Sequence, residues 1–193
     1  MKIPFGWLVV AAVAVAANAP VAADESERRL GQEADRRAMR ELTGPLIGVW
    51  GPPEDTAENR SPRLVFEWVI PDQIARFSEW RRVGATATRI GEALLGYDYR
   101  SQRVEWIGFQ RDDAPGVVEA THHGLLEPGP GGAIVRRLRA VDPDTSSREY
   151  RETFRFTGEG ALDHTIEYLT YGGEWKSWGT FRLVRRPPLD TAP

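Results

Sequence analysis

Five polar residues of types suited to binding or proton transfer fall on what alternation makes the inner face of a strand-rich chain: His122, Arg136, Glu152, Tyr168 and Ser177. An imidazole, a guanidinium, a carboxylate and a phenol around one cavity can read a carboxylate or hydroxyl on a bound molecule. They can also move a proton, with His122 or Glu152 as acid or base while Tyr168 and Arg136 stabilise the negative charge that develops. A buried polar group without a partner costs about 1–3 kcal/mol, and a charge more. A ligand is one source of partners; Arg136 and Glu152 satisfying each other is the other.

Hairpin register brings these residues together. In Arg148–Thr157, alternation turns Glu149, Arg151, Thr153 and Arg155 to water, and Tyr150, Glu152, Phe154 and Phe156 inward. Around Asp142-Pro143-Asp144, opposing Leu138 to Tyr150 sets Arg136 against Glu152. Around Pro128–Gly132, opposing Leu126 to Ile134 brings His122 one diagonal step from Arg136, and the preceding hairpin sets His122 beside Val104 and Trp106. The Gly172-Gly173 loop pairs Tyr171 with Glu174, and hence Tyr168 with Ser177. Phe66, Trp68, Tyr97, Tyr99, Trp106, Phe154 and Phe156 surround the belt, so the expected ligand-binding set is Trp68, Tyr97, Trp106, His122, Arg136, Glu152, Tyr168 and Ser177. Trp178 falls on the opposite face from Ser177, together with Arg182, as a surface stacking pair.

Other chemistries find little support. His122 and His123 are adjacent on a strand, so they point to opposite faces and cannot both ligate one ion; no metal site is expected. The chain has no cysteine, which removes disulfides, thiolate ligands, a thiol nucleophile and a lipid-attachment cysteine. It carries no Gly-x-Ser-x-Gly, phosphate-binding loop or dinucleotide fingerprint, and the glycines of Pro128–Gly132 lie between strands with no helix following; no cofactor is expected.

The elements that must position the belt are strands. Residues 24–42 are rich in helix formers, with Leu30, Ala34, Ala38 and Leu42 on one thin stripe, which predicts a helix that packs weakly or caps something. Thr43-Gly44-Pro45 ends it, and Gly51-Pro52-Pro53 through Ser61-Pro62 is a polar loop. Beyond that the period is two. Strands are predicted at Leu64–Ile70, Ala75–Arg82, Thr86–Ile90, Leu95–Tyr99, Val104–Phe109, Val117–Leu126, Ile134–Val141, Arg148–Thr157, His164–Tyr171 and Trp175–Arg185. The connections are short and hairpin-like, which favours an all-β, antiparallel up-and-down barrel of about ten strands, closed on itself to remove exposed edges, with a short N-terminal helix.

Residues 1–23 read as a secretory signal peptide: Lys2, an apolar core from Ile3 to Ala17, and the small-residue end Pro20-Val21-Ala22-Ala23 before Asp24-Glu25. The apolar run is shorter than the roughly 20 residues of a membrane span. Cleavage after Ala23 and a periplasmic or secreted location, without stable membrane insertion, are therefore expected. The remaining 170 residues suit one domain: a helical segment over 24–42, a barrel over 43–186 and a tail over 187–193. They hold 24 basic and 28 acidic residues, with no basic run beyond Arg136-Arg137-x-Arg139, so a nucleic-acid partner is not expected.

Gly48-Val49-Trp50 at a first strand after a short helix, Gly96-Tyr97-Asp98 in mid-chain, and a last strand ending Thr180-Phe181-Arg182-Leu183-Val184-Arg185 resemble the lipocalin-like (calycin) superfamily, in particular bacterial domains of unknown function within it. The resemblance implies that Trp50 closes one end of the barrel beneath an arginine of the last strand, Arg182 or Arg185. The related nitrobindin family carries Gly-x-Trp-x-Gly and a haem-ligating histidine near its C-terminus. Here Gly51-Pro52 follows Trp50 and no histidine lies beyond His164, a departure that argues against haem.

The leading functional expectation is a barrel holding a small, largely apolar or aromatic molecule. The alternative is a cofactor-free isomerase, lyase or cyclase using His122, Glu152, Tyr168 and Arg136.

Overall fold

The computed structural model describes residues 25–54, 63–83, 86–111, 118–144 and 146–187. The signal segment 1–23 with its cleavage site after Ala23, and the Asp113–Gly116 turn, lie outside the described residues.

One helix, α1 (Glu25–Leu42), precedes ten strands: β1 (Gly48–Gly51), β2 (Arg63–Ile70), β3 (Ile74–Val83), β4 (Thr86–Asp98), β5 (Arg103–Arg111), β6 (Val118–Pro128), β7 (Ile134–Val141), β8 (Ser147–Gly158), β9 (Ala161–Leu169) and β10 (Trp175–Arg186). Each strand pairs antiparallel with its sequence neighbours, and β1 pairs with β10 to close the barrel. The two strands expected at Thr86–Ile90 and Leu95–Tyr99 are one, β4, and β1 restores the total to ten. Gly91-Glu92-Ala93 has poor strand propensity and looked like a break. Pairing with β3 on one side and β5 on the other carries the strand through it.

Alternation divides the walls as a barrel requires. Leu64, Phe66, Ala75, Phe77, Leu95, Val104, Trp106, Leu126, Ile134, Phe154, Leu162 and Leu183 are buried inside. Cross-strand ion pairs line the outside: Arg76 with Glu67 at 2.7 Å, Arg151 with Glu167 at 2.7 Å, and Arg182 with Asp163 at 3.1 Å. Phe66 meets Phe154 edge-on at 6.2 Å, and Phe77 lies 4.6 Å from Trp106.

One end of the barrel is plugged. The last part of α1 packs: Met39 is fully buried and Ala38 and Leu42 lean on the core, while Gly31 through Ala34 are exposed. The expected stripe is used at its C-terminal end, with Met39 beside it. Leu46, in a short 3-10 turn after the helix, is also fully buried. Trp50 is buried beside it and donates from Nε1 to the Leu46 carbonyl at 2.6 Å. Arg185 stacks over the Trp50 ring, 4.6 Å from its centroid, and donates to the Ile47 carbonyl at 2.7 Å; Arg182 instead pairs with Asp163 outside. Gly48 makes room for this: its φ is +133°, and a Cβ there would lie 2.5 Å from the Arg185 guanidinium.

Candidate functional site

Above the aromatic layer of Phe66, Phe77, Trp106 and Phe154, toward the end opposite α1, the barrel holds a cavity of about 290 Å³. Its walls carry Glu79, His122, Arg136, Glu152 and His164 among Phe77, Trp106, Tyr150, Trp178 and Phe181.

Arg136 and Glu152 face each other across β7 and β8, as the register around Asp142-Pro143-Asp144 requires, and both are buried. Arg136 Nη2 donates to Glu152 Oε1. The guanidinium lies flat over Trp106, 4.0 Å from the ring centroid, with Phe77 at 5.6 Å. His164, on β9 opposite Phe154, donates from Nε2 to the other Glu152 oxygen at 2.9 Å while stacking on the Phe154 ring at 4.6 Å. Glu152 thus sits between two donors. Burial alone would raise its pKa; the Arg136 charge and the His164 hydrogen bond outweigh this and hold it at about 2. Two buried donors keep no partner: Arg136 Nε and Trp106 Nε1.

Glu79 is the opposite case. It stands on β3 between Leu64 of β2 and Gly91 of β4, half-buried, and lines the cavity. Among the described residues it accepts no hydrogen bond. Burial first, and the Glu152 charge second, push its carboxyl above the usual range; Arg136, His164 and Arg81 oppose this only partly. His122 is the second perturbed group: burial, helped by the Arg136 charge, lowers it to about 4, so it is a neutral imidazole near pH 7.

The other expected positions divide. His122 is inward, but opposite Ala140 and Gly108, not beside Val104 and Trp106. Ile134 pairs with Pro128, not with Leu126, and the 3-10 turn at Pro130–Gly132 closes the hairpin; the register moves by two residues, which keeps the face and carries His122 toward the mouth. Tyr168 is on the inward parity opposite Tyr150, but at the rim and 37% exposed. Ser177 is a correction: it pairs with Glu167 on the outer face and is exposed. The β9–β10 loop closes through Thr170 N–H to the Glu174 carbonyl, one residue longer than expected, and an odd change reverses the face. A bulge at Trp178 then restores the expected register from Gly179 onward.

That bulge also corrects Trp178. It does not stack with Arg182 but lies at the mouth, 6.4 Å from the Tyr150 ring. Trp106 lines the cavity, whereas Trp68 and Tyr97 pack against the core away from it, Tyr97 in a recess beneath Ala38 and Leu42. Tyr99 is 74% exposed, because β4 ends at Asp98, whose carboxylate accepts the N–H groups of Arg100 and Ser101 in the turn that follows.

Sequence reasoning missed Glu79 and His164. The signal for His164 was available: it shares the parity of Tyr168, four residues on. For Glu79 it was the alternation Ala75, Phe77, Glu79 on β3.

The arrangement can hold a compact molecule between an aromatic mouth and a polar floor, or exchange a proton with it through Glu79 or His122. No protein-family model, curated protein or solved structure matches the chain, so the function is argued from the barrel and its interior alone.

Proposed function

We propose that the protein is an exported, lipocalin-like barrel that binds a small, largely apolar or aromatic molecule in its interior. The observation that carries this reading is the cavity itself: about 290 Å³ of space beside the half-buried Glu79 carboxyl, which accepts no hydrogen bond among the described residues. That volume lies at the low end for ligand pockets, about 300–1,000 Å³, and suits a compact ligand. Trp50 under Arg185 supports the lipocalin-like assignment, and the signal-like residues 1–23 support export. Charged residues along the outer wall, Glu67, Arg76, Arg151, Glu167, Asp163 and Arg182 among them, support a water-facing barrel, since charges facing lipid are strongly unfavourable.

Native mass spectrometry of protein exported from its own cells tests this. The expected spectrum shows a chain beginning at Asp24 with a retained small molecule. Ala140→Phe, which puts a ring on the cavity wall, is expected to lose the adduct and still unfold cooperatively. An adduct unchanged in that variant would place the binding elsewhere and overturn the reading.

One observation favours a second reading, the cofactor-free enzyme. Glu79 is pushed up and Glu152 down within one cavity, and carboxyls separated in this way divide into proton carrier and fixed charge. An isomerase of this kind would exchange a carbon-bound hydrogen of the retained molecule in D₂O, and Glu79→Gln would abolish the exchange. A retained ligand that takes up no deuterium at carbon leaves the binder alone.

A further inference from the structure

We propose that the molecule held in the cavity carries an ammonium group, and that Glu79 receives it. The proposal rests on the binding reading above and adds the ligand's charge.

The charged groups facing the cavity can be paired off one by one. Arg136 balances its charge against Glu152 through Nη2 and lies over the face of Trp106, with Nε alone left unbonded. The second Glu152 oxygen is taken by His164. At the rim, Arg148 is bonded to Asp142 at 3.0 Å, and Arg81 is itself engaged. His122, across the cavity, is neutral near pH 7. Glu79 is left over: half-buried, lining the cavity, and without a hydrogen bond among the described residues.

A half-buried carboxyl in this position either keeps its proton or gains a cation. A ligand ammonium supplies both a charge and N–H donors, and it gains more in a low-dielectric enclosure than the same contact would in water. An anionic head group would instead meet the Glu79 and Glu152 carboxyls, with the Arg136 charge already balanced by Glu152 and only its Nε left to donate. The walls agree with this sign. Tyr150, Trp178 and Phe181 present ring faces and edges around the approach, surfaces that attract a cation and hold an apolar body. The ligand class is therefore a compact aromatic or aliphatic amine, its head on Glu79 and its body against the mouth aromatics.

Three probes of nearly equal shape test the charge: 2-phenylethylamine, 2-phenylethanol and 3-phenylpropionate, titrated against the full-length mature protein with the fluorescence of the cavity tryptophans as the signal. The expected order is amine tightest, by about tenfold over the alcohol, with the carboxylate weakest. Glu79→Gln keeps the shape of the side chain and is expected to bring amine and alcohol to within about twofold of each other. A carboxylate that binds as tightly as the amine overturns the proposal in the unaltered protein, whatever the variant does. So does an amine preference that survives in Glu79→Gln. In both cases the binding reading stands; only failure of all three probes would count against that reading together with this one.

Discussion

At the scale of single residues, Arg136 and Glu152 do more than fill the core. Removing one member of a buried ion pair strands the other, so Glu152→Ala is expected to cost about 3–5 kcal/mol. The exposed Glu149→Ala, three positions away on the same strand, should change stability by less than about 0.5 kcal/mol. Urea denaturation of the two variants reads the contrast directly. Near-equal losses would mean that the interior of β8 does not carry the charge network. His122 sets a pH dependence. Its folded pKa, about 4, lies below the ordinary 6.5, so its contribution to stability is complete above pH 6.5 and is lost as the pH falls from there to 4. Glu152, held at about 2, adds its own loss in a lower window, from 4.5 down to 2. Stability measured at pH 7, 5.5 and 4 should fall across this range by up to about 3 kcal/mol on account of His122, and His122→Asn should flatten that part of the curve.

At the scale of elements, loop length decides which side chains reach the cavity. The β6–β7 hairpin is shifted from the expected register by an even number of residues and leaves His122 inside. The β9–β10 loop is longer by one and turns Ser177 out, until the bulge at Trp178 reverses the change and places an indole at the mouth. The seam between β1 and β10 is only three residue pairs long, and Trp50 braces it from within while Arg185 ties its ring to the turn before β1. Truncating so large a buried ring opens a cavity that the surrounding strands cannot fill. Trp50→Ala is therefore expected to lower stability by about 3–5 kcal/mol in chemical denaturation, and a change below about 1 kcal/mol would show that the seam holds without it.

At the scale of the whole molecule, the barrel divides along its axis. The end beneath α1 is apolar, closed by Met39, Leu46, Trp50 and Phe156; the other end carries the polar groups and the cavity. An interior filled from end to end would make Glu79, His122, Arg136, Glu152 and His164 a costly set of buried polar residues. Placed around a cavity, the same residues would serve the proposed ligand as a binding surface, at a cost the apolar half of the core offsets. The outer wall is cross-linked by ion pairs on facing strands.

Much of this was legible in the residues themselves. Period-two alternation located the strands, short turns fixed a meander, and the face of each residue survived wherever a loop differed from expectation by an even number of residues. For that reason Arg136 stands opposite Glu152, and His122 faces inward even though its neighbours were misjudged. Two things required the folded chain. One is any odd change in loop length, because a single added residue reverses every side chain beyond it, and only the bulge at Trp178 shows where the reversal ends. The other is what meets across the barrel: local pattern assigns a residue to a face, but the approach of Glu79 on β3 to Arg136, Glu152 and His164 on β7, β8 and β9 exists only once β1 has paired with β10 and the sheet has curled far enough to bring distant strands within reach of one another's charge.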